Sequence, residues 1–168
     1  RAQLFSESAP RYAGYYAWRG VLDESALEGE AHQVLFHHMT FARPEGELIL
    51  ALPMAGRDND VRVGHRRYHF IWFRPGSDAL LREMATDATG KVHSPTIPPP
   101  LIRKDVLTQM RVDAHARLPA MLARLAEHAP QPILQPIFDL ESARLVNGRV
   151  ALLGDAAFVA RPHVATGI

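Results

Sequence analysis

The spacing of apolar positions divides the chain into extended and helical stretches. Residues 12–22 are rich in aromatic and β-branched side chains and predict a strand. Asp23 suits the N-cap of a short helical turn reaching Glu30. Further strands are predicted over 33–43 and 47–54, joined at Pro44-Glu45-Gly46, where proline presets φ and glycine permits the turn. A polar loop over 56–64 leads to residues 67–74, a run apolar or aromatic on both faces and therefore a central strand. Alternation divides that run into Tyr68, Phe70 and Trp72 against His69, Ile71 and Phe73.

Ser77 is placed to cap a helix ending at residue 88, and the proline-rich run 93–100 predicts an extended strap. Over 102–128, Leu107, Met110, Ala114, Leu118, Met121, Leu122 and Leu125 recur at three- and four-residue spacing. That stretch is helical, with Pro119 either breaking it or opening a second helix. A strand follows over 133–140, and Asn147-Gly148 is a type I′ hairpin signal. Val150, Ala151, Leu152 and Leu153 then read as a short buried strand. The predicted class is α+β, a mostly antiparallel sheet with helices packed on one side.

At 168 residues the chain fits one domain with a substantial core. No apolar run reaches membrane-spanning length, and with a net charge of +1 and dispersed Lys and Arg, nucleic acid is not an expected partner. There is no cysteine, which excludes disulfides and thiolate metal sites. The first residues lack the layout of a secretory signal, so a cytoplasmic setting is the expectation.

Candidate chemistry concentrates near the end of the chain. Glycine at 154 allows a sharp bend or a close ligand approach, and the carboxylate of Asp155 can accept two hydrogen bonds from a polyol. Pro162 suits the first turn of a helix, whose N-terminus would offer free N–H groups and partial positive charge. A plain turn is the competing reading of Gly-Asp. His37, His38 and Tyr68 are candidate proton acceptors or orienting groups, with a structural histidine or core tyrosine as the alternative. Adjacent strand residues point to opposite faces, so His37 and His38 make a poor chelate, and no H-E-x-x-H spacing occurs among the nine histidines. No metal site is expected. Arg66-Arg67 suits an anionic substrate or a dinucleotide, or simply a solvated strand end.

The longer string is more specific. GDAAF (154–158) followed by RPHVATG (161–167) resembles the second flavin-binding motif of the class A flavoprotein monooxygenases, the para-hydroxybenzoate hydroxylase family, where it reads GDAAH and then P-x-x-G-x-G. YAGYYAWRG (12–20), RRYHFIWFRP (66–75) and residues 135–167 resemble the dihydroxypyridine-hydroxylating branch of that family. Phe158 replaces the motif histidine, as it does in that branch, and Ala165 replaces the first glycine of P-x-x-G-x-G.

The resemblance implies a substrate-binding domain over 1–149 and a returning strand with a flavin loop over 150–168. The family's G-x-G-x-x-G loop is not found in the chain. Together with a start at Arg1 without methionine, this predicts a piece of a longer protein. Such a piece would hold FAD poorly by itself. The implied chemistry is reduction of FAD by NAD(P)H, addition of O2 to give a flavin C4a-hydroperoxide, and hydroxylation of an electron-rich aromatic or hydroxypyridine ring. Gly154 and Asp155 would bind the ribityl chain, while Pro162 and Gly167 lie along the flavin edge, Pro162 at the reacting centre. His38 and Tyr68 are the substrate-contact candidates. Exposed apolar surface makes a homodimer one expectation. The alternative from a different class is a stand-alone ligand-binding or interaction module without redox activity.

Overall fold

The structure, a computed structural model, describes residues 9–162. Its central feature is a six-stranded sheet of β1 (Arg11–Asp23), β2 (Thr40–Ala42), β3 (Leu48–Met54), β4 (Arg67–Pro75), β5 (Ile133–Glu141) and β8 (Phe158–Val159). The order is β2-β3-β4-β1-β5-β8 and every pairing is antiparallel. The aromatic-rich β4 is central, as its two-faced apolarity predicts, and pairs with β1 over its whole length and with β3 from Arg67 to Phe73. A separate ribbon, β6 (Val146–Asn147) with β7 (Val150–Ala151), lies outside this sheet.

Four helices, α1 (Gly29–Leu35), α2 (Asp78–Met84), α3 (Lys104–Arg117) and α4 (Ala120–His128), supply the helical side of one large core. Tyr16, Trp18 and Leu22 of β1, Tyr68, Phe70 and Trp72 of β4, and Ile49 and Ala51 of β3 meet Leu35, Met110, Ala114, Leu122 and Leu125 there. Pro119 precedes the first residue of α4, so it separates the two helices and starts the second. Ser77 caps α2 by accepting from Leu80 N at 3.2 Å. That helix ends earlier than residue 88, because Asp87 collects Thr89 N, Thr89 Oγ1 and Lys91 N into a tight loop.

Four expectations need correction. Residues 33–43 do not form one strand: Ala31 and Leu35, one helical turn apart, bury the face of α1, and only Thr40–Ala42 is extended. Asp23 does stand at the N-cap position of a short helical turn, but that turn is only Glu24–Ala26 and the Asp23 side chain makes no capping hydrogen bond; the buried group at that corner is the Glu24 carboxylate. Nor is 150–153 a buried strand. It pairs only with its own hairpin neighbour, leaving Val150 44% and Leu153 82% exposed. The hairpin itself is present, but its loop is Gly148-Arg149, with a positive φ at Gly148 and not at Arg149. That is the glycine-first pattern of a II′ turn rather than I′.

Near its start β1 carries a bulge: the register with β5 slips between Tyr12 and Tyr16, with Gly14 at φ +81°. Gly76 N donates to Gly14 O and the Tyr12 hydroxyl donates to Gly76 O, both at 3.0 Å. Alternation along β1 places Ala13, Tyr15 and Ala17 on the face of the sheet opposite the helices.

Candidate functional site: the uncovered sheet face and the returning bend

Alternation along each strand sends a second set of side chains to the other face. Ala17, Phe73 and Ile137 are its buried members, with Ala13, Tyr15, Leu48 and Ile71 packed against them. All seven come from strands, so this small cluster has no helical cover among the described residues. The Tyr15 and Phe73 rings lie 6.2 Å apart. Beside them opens a cleft of about 870 Å³ whose walls include Tyr15, Phe41, Arg43, Leu48, Phe73 and Arg161. Further along the same face a polar row interrupts the apolar ground. Arg19 Nε donates to His69 Nε2 at 3.4 Å, and Arg19 Nη1 donates to Gln135 Oε1 at 2.9 Å. Burial, and then the neighbouring guanidinium, lowers the His69 pKa, so its imidazole is neutral at pH 7.

The returning segment reaches this sheet at its edge. Gly154–Ala156 forms a single 3₁₀ turn, and β8 then pairs Leu140 with Val159 and Glu141 with Phe158. Gly154 sits at φ +54°, a left-handed conformation that favours glycine. Asp155 is exposed and its side chain accepts no hydrogen bond from the other described residues. Past β8, Arg161 makes a two-pronged ion pair with Asp139 of β5, at 2.7 and 2.6 Å. The same guanidinium lies 5.7 Å from the centre of the Tyr15 ring. That ion pair holds the Asp139 carboxyl below its ordinary range.

The other candidates fall elsewhere. Tyr68 is fully buried on the helix side, its hydroxyl donating to His38 O at 3.0 Å, with Ala51 O at 3.4 Å and Thr40 Oγ1 at 3.5 Å close by. It is a core tyrosine in this fold, 5.1 Å from the Phe36 ring, and burial raises its pKa. His37 and His38 sit in the turn after α1 rather than on a strand, and His38 Nδ1 lies 2.8 Å from Val34 O. Strand alternation therefore does not apply to that pair. Tyr68 and His38 share a neighbourhood, but not the uncovered face. Pro162 is exposed at the end of the described residues, and Gly167 lies outside them. No group of three His, Asp or Glu among the described residues is arranged to hold a metal ion, and no helix there is long and apolar enough to cross a membrane.

Sequence reasoning missed Arg19, Gln135 and the pairing of Arg161. The available signal was positional: a charged and an amide side chain, each in the interior of a predicted strand, on the same alternation set as apolar neighbours. Which set lay away from the helices could not be read without the pairing register.

A family model described as FAD binding domain-like matches residues 12–139. The chain belongs to that family. It is 29% identical over 169 residues to 2,6-dihydroxypyridine 3-monooxygenase of Paenarthrobacter nicotinovorans, an alignment covering 94% of this chain and 39% of that protein. Among solved structures it superposes on 2,6-dihydroxypyridine-3-hydroxylase from Arthrobacter nicotinovorans with a TM-score of 0.89 at 28% identity, over 99% of this chain and 42% of that one. CtdE in complex with FAD shares the fold at TM-score 0.63 and 12% identity, over 99% of this chain and 41% of that protein. The chain thus spans about two fifths of the length of these relatives. The family match ends before the Gly154-Asp155 bend.

Proposed function

We propose that this chain is the substrate-binding part of an FAD-dependent monooxygenase, together with the segment that returns to the flavin. The whole polypeptide would hydroxylate an electron-rich aromatic or hydroxypyridine ring at the expense of NAD(P)H and O2. The division into residues 1–149 for substrate and 150–168 for the flavin belongs to the same proposal. One observation carries it: a sheet that, among the described residues, is covered by helices on one face only, whose other face is aromatic and sparsely polar and is tied by Arg161 to a Gly-Asp bend. Small-molecule sites have this composition, mostly apolar walls with a few placed polar groups.

The residues of the bend fit a flavin's polyol chain. The left-handed Gly154 has open space where a Cβ would stand, and the exposed Asp155 carboxylate is available to two hydroxyl donors. Pro162 and Gly167 would continue along the flavin edge. When bound, FAD supplies the reducing and oxygen-activating chemistry.

The chain's own side chains have three tasks. Tyr15, Ile71 and Phe73 offer a flat apolar bed that excludes water from a ring lying on it. The Arg161–Asp139 ion pair fixes the returning segment against that bed. The polar row at Arg19 orients the ring in the plane of the sheet. Similarity to a dihydroxypyridine monooxygenase favours a hydroxypyridine as the ring, and a cytoplasmic setting suits a soluble reductant.

The test is oxidation of NADH and NADPH by the complete FAD-loaded polypeptide in the presence of hydroxypyridines, phenols and aromatic acids. The expected result is stimulation by a hydroxypyridine together with a hydroxylated product. Rates that stay flat for every ring tested, while a ring still binds, would point instead to a ligand-binding module without redox activity.

A further inference from the structure

Three neighbouring strands each contribute one polar side chain to the middle of the uncovered face: His69 from β4, Arg19 from β1 and Gln135 from β5. They are diagonal neighbours in the register, where Arg19 stands opposite Ile71 and Ile133, and Val21 opposite His69. The guanidinium is held by neutral acceptors only, an imidazole nitrogen and an amide oxygen. Among the described residues no carboxylate lies within 4.0 Å of it and its Nη2 has no hydrogen-bond partner. Arg66, Arg74 and Arg161 each have a carboxylate, whereas Arg67, two residues before His69 on β4, likewise reaches only a neutral acceptor, Ala55 O at 3.4 Å. A half-buried charge on apolar ground is costly unless an opposite charge meets it. Arg19 is preorganised and uncompensated.

The groups the row leaves to a ligand are mainly donors. With Nε2 accepting from Arg19, the neutral His69 ring carries its proton on Nδ1. With Oε1 taken by Arg19, Gln135 has its amide N–H groups to offer. Arg19 adds the free Nη2. The surrounding ground is apolar: Ala17, Val21, Ile71 and Ile133.

We propose that this row binds the anionic oxygen of a flat aromatic or heteroaromatic ring, with Arg19 as the residue that touches it and His69 and Gln135 as its holders and secondary donors. This deepens the substrate-face reading given above and rests on it. A site of this kind selects rings bearing an oxyanion, because a neutral or cationic ring of the same shape leaves its donors unpaired.

The test is calorimetric titration of the protein with benzoate and with benzamide, which keeps the shape and lacks the charge. Benzoate is expected to bind at least about tenfold more tightly, as for a hydrogen-bonded charge pair. Arg19→Gln should bring the two affinities together, and Arg19→Lys should keep part of the preference. Equal binding of the two by the unsubstituted protein, or an unchanged preference in Arg19→Gln, overturns the proposal. Should Arg19→Gln melt at a much lower temperature, Gln135→Leu decides: a weakened benzoate preference supports the row and an unchanged one overturns it. The titration needs no flavin. A failure here therefore leaves the flavoprotein reading standing, and a complete polypeptide that holds no FAD would sink that reading without touching this result.

Discussion

Asp155→Ala in the complete polypeptide is expected to weaken FAD retention by roughly 10–100-fold, the loss that follows from removing a charge-assisted hydrogen bond. The expectation rests on where the carboxylate stands. It follows a left-handed glycine in a 3₁₀ turn, is exposed, and has no partner among the described residues. Deleting it removes nothing that holds the fold together. A lowered flavin content in Asp155→Ala should therefore come with an unchanged melting temperature. Asp155→Asn keeps two-sided hydrogen bonding without the charge and should fall between. Flavin absorbance of the purified variants, read against protein concentration, checks this, and equal flavin content in all three proteins would remove Asp155 from the site.

The second large effect concerns stability and lies on the opposite side of the sheet. Glu24 is 2% exposed, and one carboxylate takes five donors: Arg66 through Nε, Nη2 and its backbone N, Gly64 N, and His32. The Arg66 guanidinium in turn lies 5.3 Å from the centre of the Phe36 ring and donates to Phe36 O. This cluster ties the end of the 56–64 loop and the turn after α1 to the residue that directly follows β1. Glu24→Ala leaves Arg66 and Gly64 N without their acceptor. Breaking a buried pair from one side costs about 3–5 kcal/mol, a fall in melting temperature on the order of 10 °C for a chain of this size. The same group sets an acid limit. The Arg66 hydrogen bond lowers its pKa from 4.5 to about 2. A depressed carboxylate contributes stability that is complete above the unfolded value and is lost as pH falls through the folded value. Thermal melts should therefore drop between about pH 4.5 and 2, and Glu24→Gln should flatten that drop. A pH profile identical to the parent's would show that Glu24 does not carry it.

Much of this architecture was legible from the pattern of residues. The run from Tyr12 to Leu22 and the aromatic run around Trp72 became the two strands of the longest pairing in the sheet, and Pro119 marked a helix start. The failures have physical causes. The stretch around His37 and His38 alternates like a strand, yet the one-turn spacing of Ala31 and Leu35 against the core decided for a helix before it. The apolar run 150–153 lacks a partner strand in the main sheet, so its hydrophobicity does not buy burial. Tyr68 was attractive as chemistry, but one step along the strand separates the two faces, and it lies on the packed one beside His69 on the other. Arg19 was invisible because nothing in a single strand says which neutral groups its neighbours will hold against it.

The measurement closest to the central claim is FAD titration of the complete polypeptide followed by addition of an aromatic anion. The expected result is stoichiometric uptake of FAD and a ligand-induced change in the flavin absorbance bands, since ring and flavin would share the face that carries Tyr15, Phe73 and Arg19. A protein that takes up no FAD, or one whose flavin spectrum is indifferent to a ligand shown to bind at Arg19, would contradict it.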